Sequence, residues 1–276
     1  MVFVVGAVAI DMVAVRERFL DGTSNPSDIR MGLGGVGYRV FSNLDCPRRF
    51  ITALAADPVS QWAREALKAD GDVAIQEIAG RDARPPLYLA LMESGSLKVA
   101  ASDFRIVEQS LTASFVERAL GTPSPRDFLV LDANLSPRLL ADLVGRYAAQ
   151  TRVVFEPVSV DKARRHREAL RHLFLVTPTA EELESLAAND PLQFMEDRSI
   201  QHIVLTRGPA GTRLYGGGAV TEFPPRSVVH TGDTTGAGDL LLACLLSSLE
   251  KGRDMPSALR EAMDRVEQRL QAGSAS

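Results

Sequence analysis

The sequence predicts an α/β protein built on a mainly parallel sheet, with a small second sheet set apart from it. Three observations carry this expectation. Short apolar runs alternate with amphipathic segments through residues 128–206, the pattern of βαβ units. Two earlier stretches, roughly residues 13–31 and 73–101, contain short alternating runs such as Leu87–Met92 and Leu97–Ala100; these read as antiparallel strands outside the main sheet. The chain has 276 residues without internal repeat or low-complexity linker, which suits one large domain over 1–276 with a small appendage.

Each element has its own signal. Val2-Phe3-Val4-Val5 followed by Gly6 lacks a basic leader and a long apolar region, so it reads as a strand and not as a signal peptide. Phe128–Asp132 is a buried strand. Ser136 and Pro137 then form a helix start, and Leu139, Leu140, Leu143, Val144 and Tyr147 fall on one helical face. Val153–Phe155, Leu173–Val176 and His202–Thr206 are the next strands, with a helix expected over Lys162–Arg171. Leu240–Leu249 is an apolar helix too short to cross a bilayer. A last helix is expected over Ala258–Leu270, and the small polar tail Gln271–Ser276 is expected to fray.

Composition narrows the partners. Apolar residues make up 45% and charged residues 24%, with a net charge of −4, which points to a soluble globular protein rather than a disordered one. Without a basic stripe, nucleic acid is not the expected partner; Lys162–Arg167 reads as a solvated helix face. Cys46 and Cys244 form neither a disulfide framework nor a metal spacing, and Cys244 is expected as a small buried side chain. No membrane partner is expected, and the cytoplasm is the default location.

The strongest chemical signal is Thr231-Gly-Asp-Thr-Thr-Gly-Ala-Gly-Asp239, running directly into the apolar helix at Leu240. Small residues permit a tight turn in which the amides of Gly236, Ala237 and Gly238 can converge on an anion at a helix N-terminus. A carboxylate beside a phosphate pocket is repelled by it, and proton abstraction from an attacking hydroxyl is the economical reason to place Asp239 there. The competing reading is a glycine turn with Asp239 as a helix cap. Thr179 and Glu182 have the spacing of a capping box.

The segment Asp233–Asp239 is similar to the signature of the ribokinase (PfkB) family. Gly32-Leu-Gly-Gly-Val-Gly37 resembles the family's glycine-rich segment, which implies that Gly34, Gly35 and Gly37 approach the sugar. Gly6–Asp11 resembles the first strand, whose terminal aspartate, here Asp11, holds sugar hydroxyls; a loop cap is the rival role. Leu205–Gly211 looks like the strand and turn that contact ATP, which implies roles for Thr206, Gly208 and Gly211. The resemblance spans nearly the whole chain. It implies a ribokinase-like three-layer sandwich with a mainly parallel central sheet and a small β-lid, and an ATP-dependent phosphotransferase. It further implies Mg2+, a monovalent cation such as K+, a small-molecule nucleoside substrate and a homodimer.

Four further stretches resemble the pseudouridine kinase branch: Ser24-Asn25-Pro26, Asp132–Ser136, Phe155–Ala163 and Val99–Asp103. They imply transfer of phosphate to the 5′-hydroxyl of pseudouridine, with Asn25 and Asn134 as candidates for reading the base edge. Turn chemistry is the rival explanation for Asn25. Three positions depart from the family pattern. Ala9 and Arg39 stand where asparagines are usual, and the family's Asn-x-x-Glu becomes Thr179-Ala-Glu-Glu182. Thr179 then falls at the nucleotide position, and Glu182 is the candidate for organising magnesium through water. Arg39 is read first as a solvated helix residue, with a phosphate or substrate carbonyl contact as the alternative. Arg, Glu and Gln in Ala258–Leu270 replace small apolar residues expected near adenine, and Asn43–Pro47 is a contracted connection.

Overall fold

The computed structural model describes residues 1–187, 190–226 and 234–273. Thr231, Gly232 and Asp233 of the glycine-rich motif lie outside these residues. Strands are β1 (Val2–Val5), β2 (Ala9–Arg16), β3 (Asp28–Gly34), β4 (Arg48–Ala55), β5 (Val73–Ile78), β6 (Leu87–Glu93), β7 (Ser96–Asp103), β8 (Phe128–Asp132), β9 (Arg152–Glu156), β10 (Leu175–Val176), β11 (His202–Thr206), β12 (Thr212–Gly216) and β13 (Ala219–Phe223). Helices are α1 (Val36–Asn43), α2 (Pro58–Asp70), α3 (Arg105–Ser110), α4 (Ala113–Leu120), α5 (Pro137–Tyr147), α6 (Val160–His166), α7 (Ala180–Ala187), α8 (Pro191–Arg198), α9 (Ala237–Glu250) and α10 (Met255–Gly273).

Nine strands form one sheet in the order β13-β12-β11-β10-β9-β8-β1-β4-β5. Pairings from β5 to β11 are parallel, and β12 and β13 add antiparallel strands at one edge. Alternation along the strands divides the core. Phe3, Val5, Leu129 and Leu131 face α3–α8, whereas Val2, Val4, Phe128 and Val130 face α1, α2, α9 and α10. A sheet covered on both faces needs apolar side chains on both, which is why the strands read as continuous apolar runs. The three-layer α/β class expected from the sequence is the class observed.

Helix starts follow local chemistry. Ser136 Oγ accepts from the Leu139 amide at 3.1 Å, with Pro137 behind it, and Asp57 and Asp190 cap α2 and α8 in the same way, each followed by proline. The five apolar residues assigned to one face of α5 are all buried.

The small sheet has the order β3-β2-β6-β7. It departs from expectation in two respects. The β2–β6 pairing is parallel, so the sheet is mixed and not antiparallel throughout. Val73–Ile78, expected outside the main sheet, instead pairs parallel with β4 as its edge strand, because its connection through α2 is a regular βαβ crossover. The helix expected over Lys162–Arg171 begins at Val160 and passes into a 3-10 turn over Arg167–Ala169, and the strand expected over Leu173–Val176 pairs only at Leu175–Val176. Lys162 and His166 turn inward from the face read as solvated, and Cys244 is half-buried rather than sealed.

Candidate active site

The carboxyl ends of β1, β8, β9, β10 and β11 converge beside the N-termini of α1 and α9. Open α/β sheets bind ligands at this end, outside the strand termini.

Asp132 ends β8 and is fully buried. Its Oδ2 accepts from the amides of Ala7 at 2.9 Å and Gly37 at 3.2 Å, and from Asn134 Nδ2 at 3.2 Å; its Oδ1 accepts from the Asn134 amide at 2.9 Å. One carboxylate thus ties the end of β1 to the first turn of α1. A Cβ on Gly6 would stand 2.3 Å from Asp132 Oδ2, and one on Gly37 would stand 2.8 Å away, so glycine at both positions lets the carboxylate in. Burial raises the Asp132 carboxyl, against the amide donors and the nearby Lys162 ammonium. Lys162 Nζ donates to Asn134 Oδ1. Asn134 is therefore a buried link between Asp132 and Lys162, not a side chain offered at an open base-binding surface.

Asp11 lies on β2, opposite Gly32 and two pairs from the Gly34 end of β3. A Cβ on Gly34 would fall 2.0 Å from Asp11 Oδ2. Gly35, at φ 88, precedes α1 as its N-cap and sits against the backbone of Ala7 and Ala9. Arg39 Nη2 donates to Asp11 Oδ2 at 3.1 Å. The Arg39 side chain is 30% exposed, and it points into the cleft rather than standing as a solvated helix residue. Burial raises the Asp11 carboxyl, opposed by this guanidinium.

At the start of α9, Gly236 adopts the left-handed conformation, φ 79, as the N-cap. An αL residue leading into a helix makes a concavity of amides. The Ala237 amide closes a turn on the Thr234 carbonyl at 3.0 Å, so it does not join the converging donors expected of Gly236–Gly238. The amides of Gly238 and Asp239 follow in the first turn, where the helix itself supplies no acceptor. Gly238 has open space where a Cβ would project; the conformational demand for glycine falls on Gly236.

A cavity of about 270 Å³ opens in front of this turn, lined by Arg39, Glu156, Thr177, Thr179, Glu182, Thr206, Gly236, Gly238 and Asp239 among others. Asp239 is half-buried there. Burial is the main cause that pushes its carboxyl up to about 6; Arg39 opposes the rise and Asp132 adds to it. Glu156, at the end of β9, accepts from the Thr177 hydroxyl. Burial and the charges of Asp239 and Glu182 hold it well above the usual carboxylate range. Glu182 Oε2 accepts from the Thr179 amide at 2.8 Å, and Thr179 Oγ1 accepts from the Glu182 amide at 3.4 Å, the reciprocal capping box read from the sequence. Thr206, at the end of β11, forms an isolated parallel bridge with Thr179.

Carboxylate oxygens are the donors a hard divalent cation takes. Among the described residues, no three His, Cys, Asp or Glu side chains converge closely enough to hold an ion by themselves, so phosphate and water would supply most of its ligands.

Of the residues singled out by sequence, the cavity gathers Asp239, Gly236, Gly238, Thr179, Glu182 and Thr206. Ala237 lies in the same turn, and Asp11 joins through Arg39. Gly211, at φ 82, meets the Phe223 carbonyl and the proline pair behind it, and Gly208, at φ 52, lies on an exposed turn. Asn25 is spent on its own loop: its Oδ1 accepts from the Leu20 amide at 2.8 Å, and its Nδ2 donates to the carbonyls of Leu20 at 2.8 Å and Thr23 at 3.0 Å. Turn chemistry accounts for it. Sequence reasoning assigned no role to Asp132, Glu156, Thr177 or Lys162. The available signal was a lone acid ending each of two apolar strands, Phe128–Asp132 and Arg152–Glu156.

A mainly parallel α/β sheet in which a left-handed glycine opens a helix beside a half-buried carboxylate has the parts that phosphoryl transfer to a small molecule needs. The chain belongs to the pfkB family of carbohydrate kinases, whose family model matches residues 1–264. It is 24% identical over 276 residues to the pseudouridine kinase of Escherichia coli K12, covering 95% of this chain and 87% of that one. Among solved structures, it superposes on a carbohydrate kinase from Agrobacterium tumefaciens with a TM-score of 0.78 at 25% identity, covering 96% of this chain and 89% of that one. It superposes on Arabidopsis thaliana ribokinase complexed with ribose and ATP with a TM-score of 0.77 at 17% identity, covering 98% and 92%.

Proposed function

We propose that the protein is an ATP-dependent kinase that phosphorylates the 5′-hydroxyl of pseudouridine. The observation that carries the reading is Asp239, raised to about 6, beside the left-handed Gly236 at the start of α9. A base whose proton affinity lies near working pH is suited to taking a hydroxyl proton as the oxygen attacks phosphorus. The Gly238 and Asp239 amides and the positive helix end hold the phosphoryl oxygens. Asp11 keeps Oδ1 for an acceptor hydroxyl. Thr179 and Thr206, with the turn over Gly208–Gly211, stand on the nucleotide side. Magnesium, which Glu182 and Glu156 would hold through water, supplies charge neutralisation to the phosphates. A monovalent cation such as K+, a homodimer and a cytoplasmic setting complete the proposal. For pseudouridine the support is the likeness to the Escherichia coli enzyme; for ATP it is the ribokinase complex.

A second reading, a kinase for another nucleoside or sugar, draws on one observation: Arg39 occupies an Asp11 oxygen that could otherwise hold a second acceptor hydroxyl. The deciding experiment incubates the protein with ATP, magnesium and a panel of nucleosides and sugars, and follows ADP. Pseudouridine giving the highest kcat/KM supports the first reading. Equal or better turnover of uridine or ribose moves the acceptor to the second, and nucleotide binding without turnover of any acceptor leaves a ligand-binding protein of the same fold.

A further inference from the structure

Arg39 is the only cationic side chain among the described residues lining the cavity, facing the carboxylates of Glu156, Glu182 and Asp239. Its guanidinium spans two parts of the site. Nη2 is held by Asp11, whereas Nη1 lies 3.5 Å, and Cδ 3.7 Å, from the point where a Cβ on Gly236 would stand. Asp239 Oδ2 lies 3.8 Å from that same point. The Nη1 end of Arg39 and the carboxylate of Asp239 therefore both lie beside the Gly236 turn that opens α9. The Asp11 bond anchors one end of the guanidinium, so less side-chain freedom remains to be lost when Nη1 meets a ligand.

We propose that Arg39 holds the phosphoryl group in transfer: Nη1 donates to its oxygens at the mouth of the Gly236 concavity, while Asp11 fixes the other end of the guanidinium. The inference rests on the kinase reading and deepens it. During transfer, the acceptor oxygen forms the new bond to the γ-phosphorus, and the bond to the oxygen bridging β and γ breaks. ADP leaves with that electron pair, and the acceptor proton passes to Asp239. Arg39 is not consumed; it pairs with negative charge on the equatorial oxygens. The acceptor side alone is a poorer match for this cation, because an anionic acceptor would have to enter beside both Asp11 and Asp239.

A planar mimic of the group in transfer tests this without turnover. Calorimetry would compare MgADP with MgADP plus aluminium fluoride, in the wild type and in Arg39→Gln, Arg39→Lys and the Arg39→Gln/Asp11→Asn pair. An arginine supplied to a phosphoryl group is worth about 10³–10⁵ in turnover. The expectation is that Arg39→Gln binds MgADP as the wild type does and loses about a hundredfold or more in affinity for the fluoride complex. Arg39→Lys should recover part of it. The double variant should recover none, because Asp11 is no longer left unpaired yet the donor is still missing. Recovery in the double variant overturns the proposal and makes Arg39 a partner of Asp11 alone. Equal fluoride affinity in wild type and Arg39→Gln overturns it, as does a wild type in which fluoride adds nothing to MgADP binding. A wild type that binds no MgADP removes the kinase reading as well, so the two failures are distinct.

Discussion

Asp239 carries opposing demands, since burial favours its acid form and its proposed task needs the base. With the carboxyl at about 6, kcat/KM should fall tenfold per pH unit below about 6 and level off above it, and a pH–rate profile measures this. Asp239→Asn should lower turnover about a hundred- to ten-thousandfold while nucleotide affinity by calorimetry is retained; lost affinity would make the residue structural. The same shift has a sign for stability. The folded protein holds the proton more tightly than the unfolded chain, so this contribution is complete below 3.8 and is lost as pH rises through about 6. Asparagine mimics the protonated form, so the variant should gain about 1–3 kcal/mol over wild type at pH 8 and almost nothing at pH 4, read from melts at both. The glycines separate in the same way. Gly236→Ala forces a side chain into φ 79 against Arg39 and should cost about 1–2 kcal/mol; Gly238→Ala should melt as wild type. Sequence singled out both glycines, because small residues before an apolar helix mark a turn. It could not say which one the backbone requires, because φ is set by how that turn docks on Arg39 and Asp239.

Elements at this site are joined through Asp132. It brings the end of β1, the Asn134 turn after β8 and the start of α1 onto one carboxylate. Asp132→Ala would leave the buried amides of Ala7 and Gly37 without acceptors and Lys162 without its neighbouring charge. The expected cost is about 3–5 kcal/mol, read by denaturant melts, with folding lost before any change in substrate preference. A melt within about 1 kcal/mol of wild type would show that water replaces the carboxylate. The hub was hidden in the sequence because three of its four donors are the backbone amides of residues 7, 37 and 134, which no side-chain pattern records. Local features were plain by contrast: the Ser136-Pro137 start, the Thr179–Glu182 box and the apolar face of α5 each depend on residues within a few positions. Arg39 shows the boundary between the two. Its place on α1 follows from local pattern, but its direction follows from Asp11, which the β2–β3 pairing brings to it.

Across the whole molecule, the division of one sheet into two apolar faces was readable, because each strand carries both faces in its alternation. The small sheet was less so, because the parallel β2–β6 contact joins residues 77 apart, as in Ile10 with Leu87, and has no hairpin turn to announce it. That sheet presents one consistently apolar face. Register places Met12 beside Met31 and Leu89, and Ala14 beside Ile29 and Leu91, with Val99 beyond Leu91. Ile29 is 69% exposed, Met31 51%, Leu89 50% and Val99 53%. Scattered exposed apolar residues need no explanation, but a contiguous set on one sheet face marks a contact surface. The proposed homodimer would bury this face isologously, each copy covering the other. Light scattering at tens of micromolar should then give twice the 29.9 kDa of the chain, and Met31→Lys/Leu89→Lys should give the monomer mass. Both side chains are exposed in the single chain, so the melting temperature of the variant at low concentration should stay within a few degrees of wild type. A wild type that is monomeric at that concentration would leave the apolar face without a second copy and remove the dimer from the proposal.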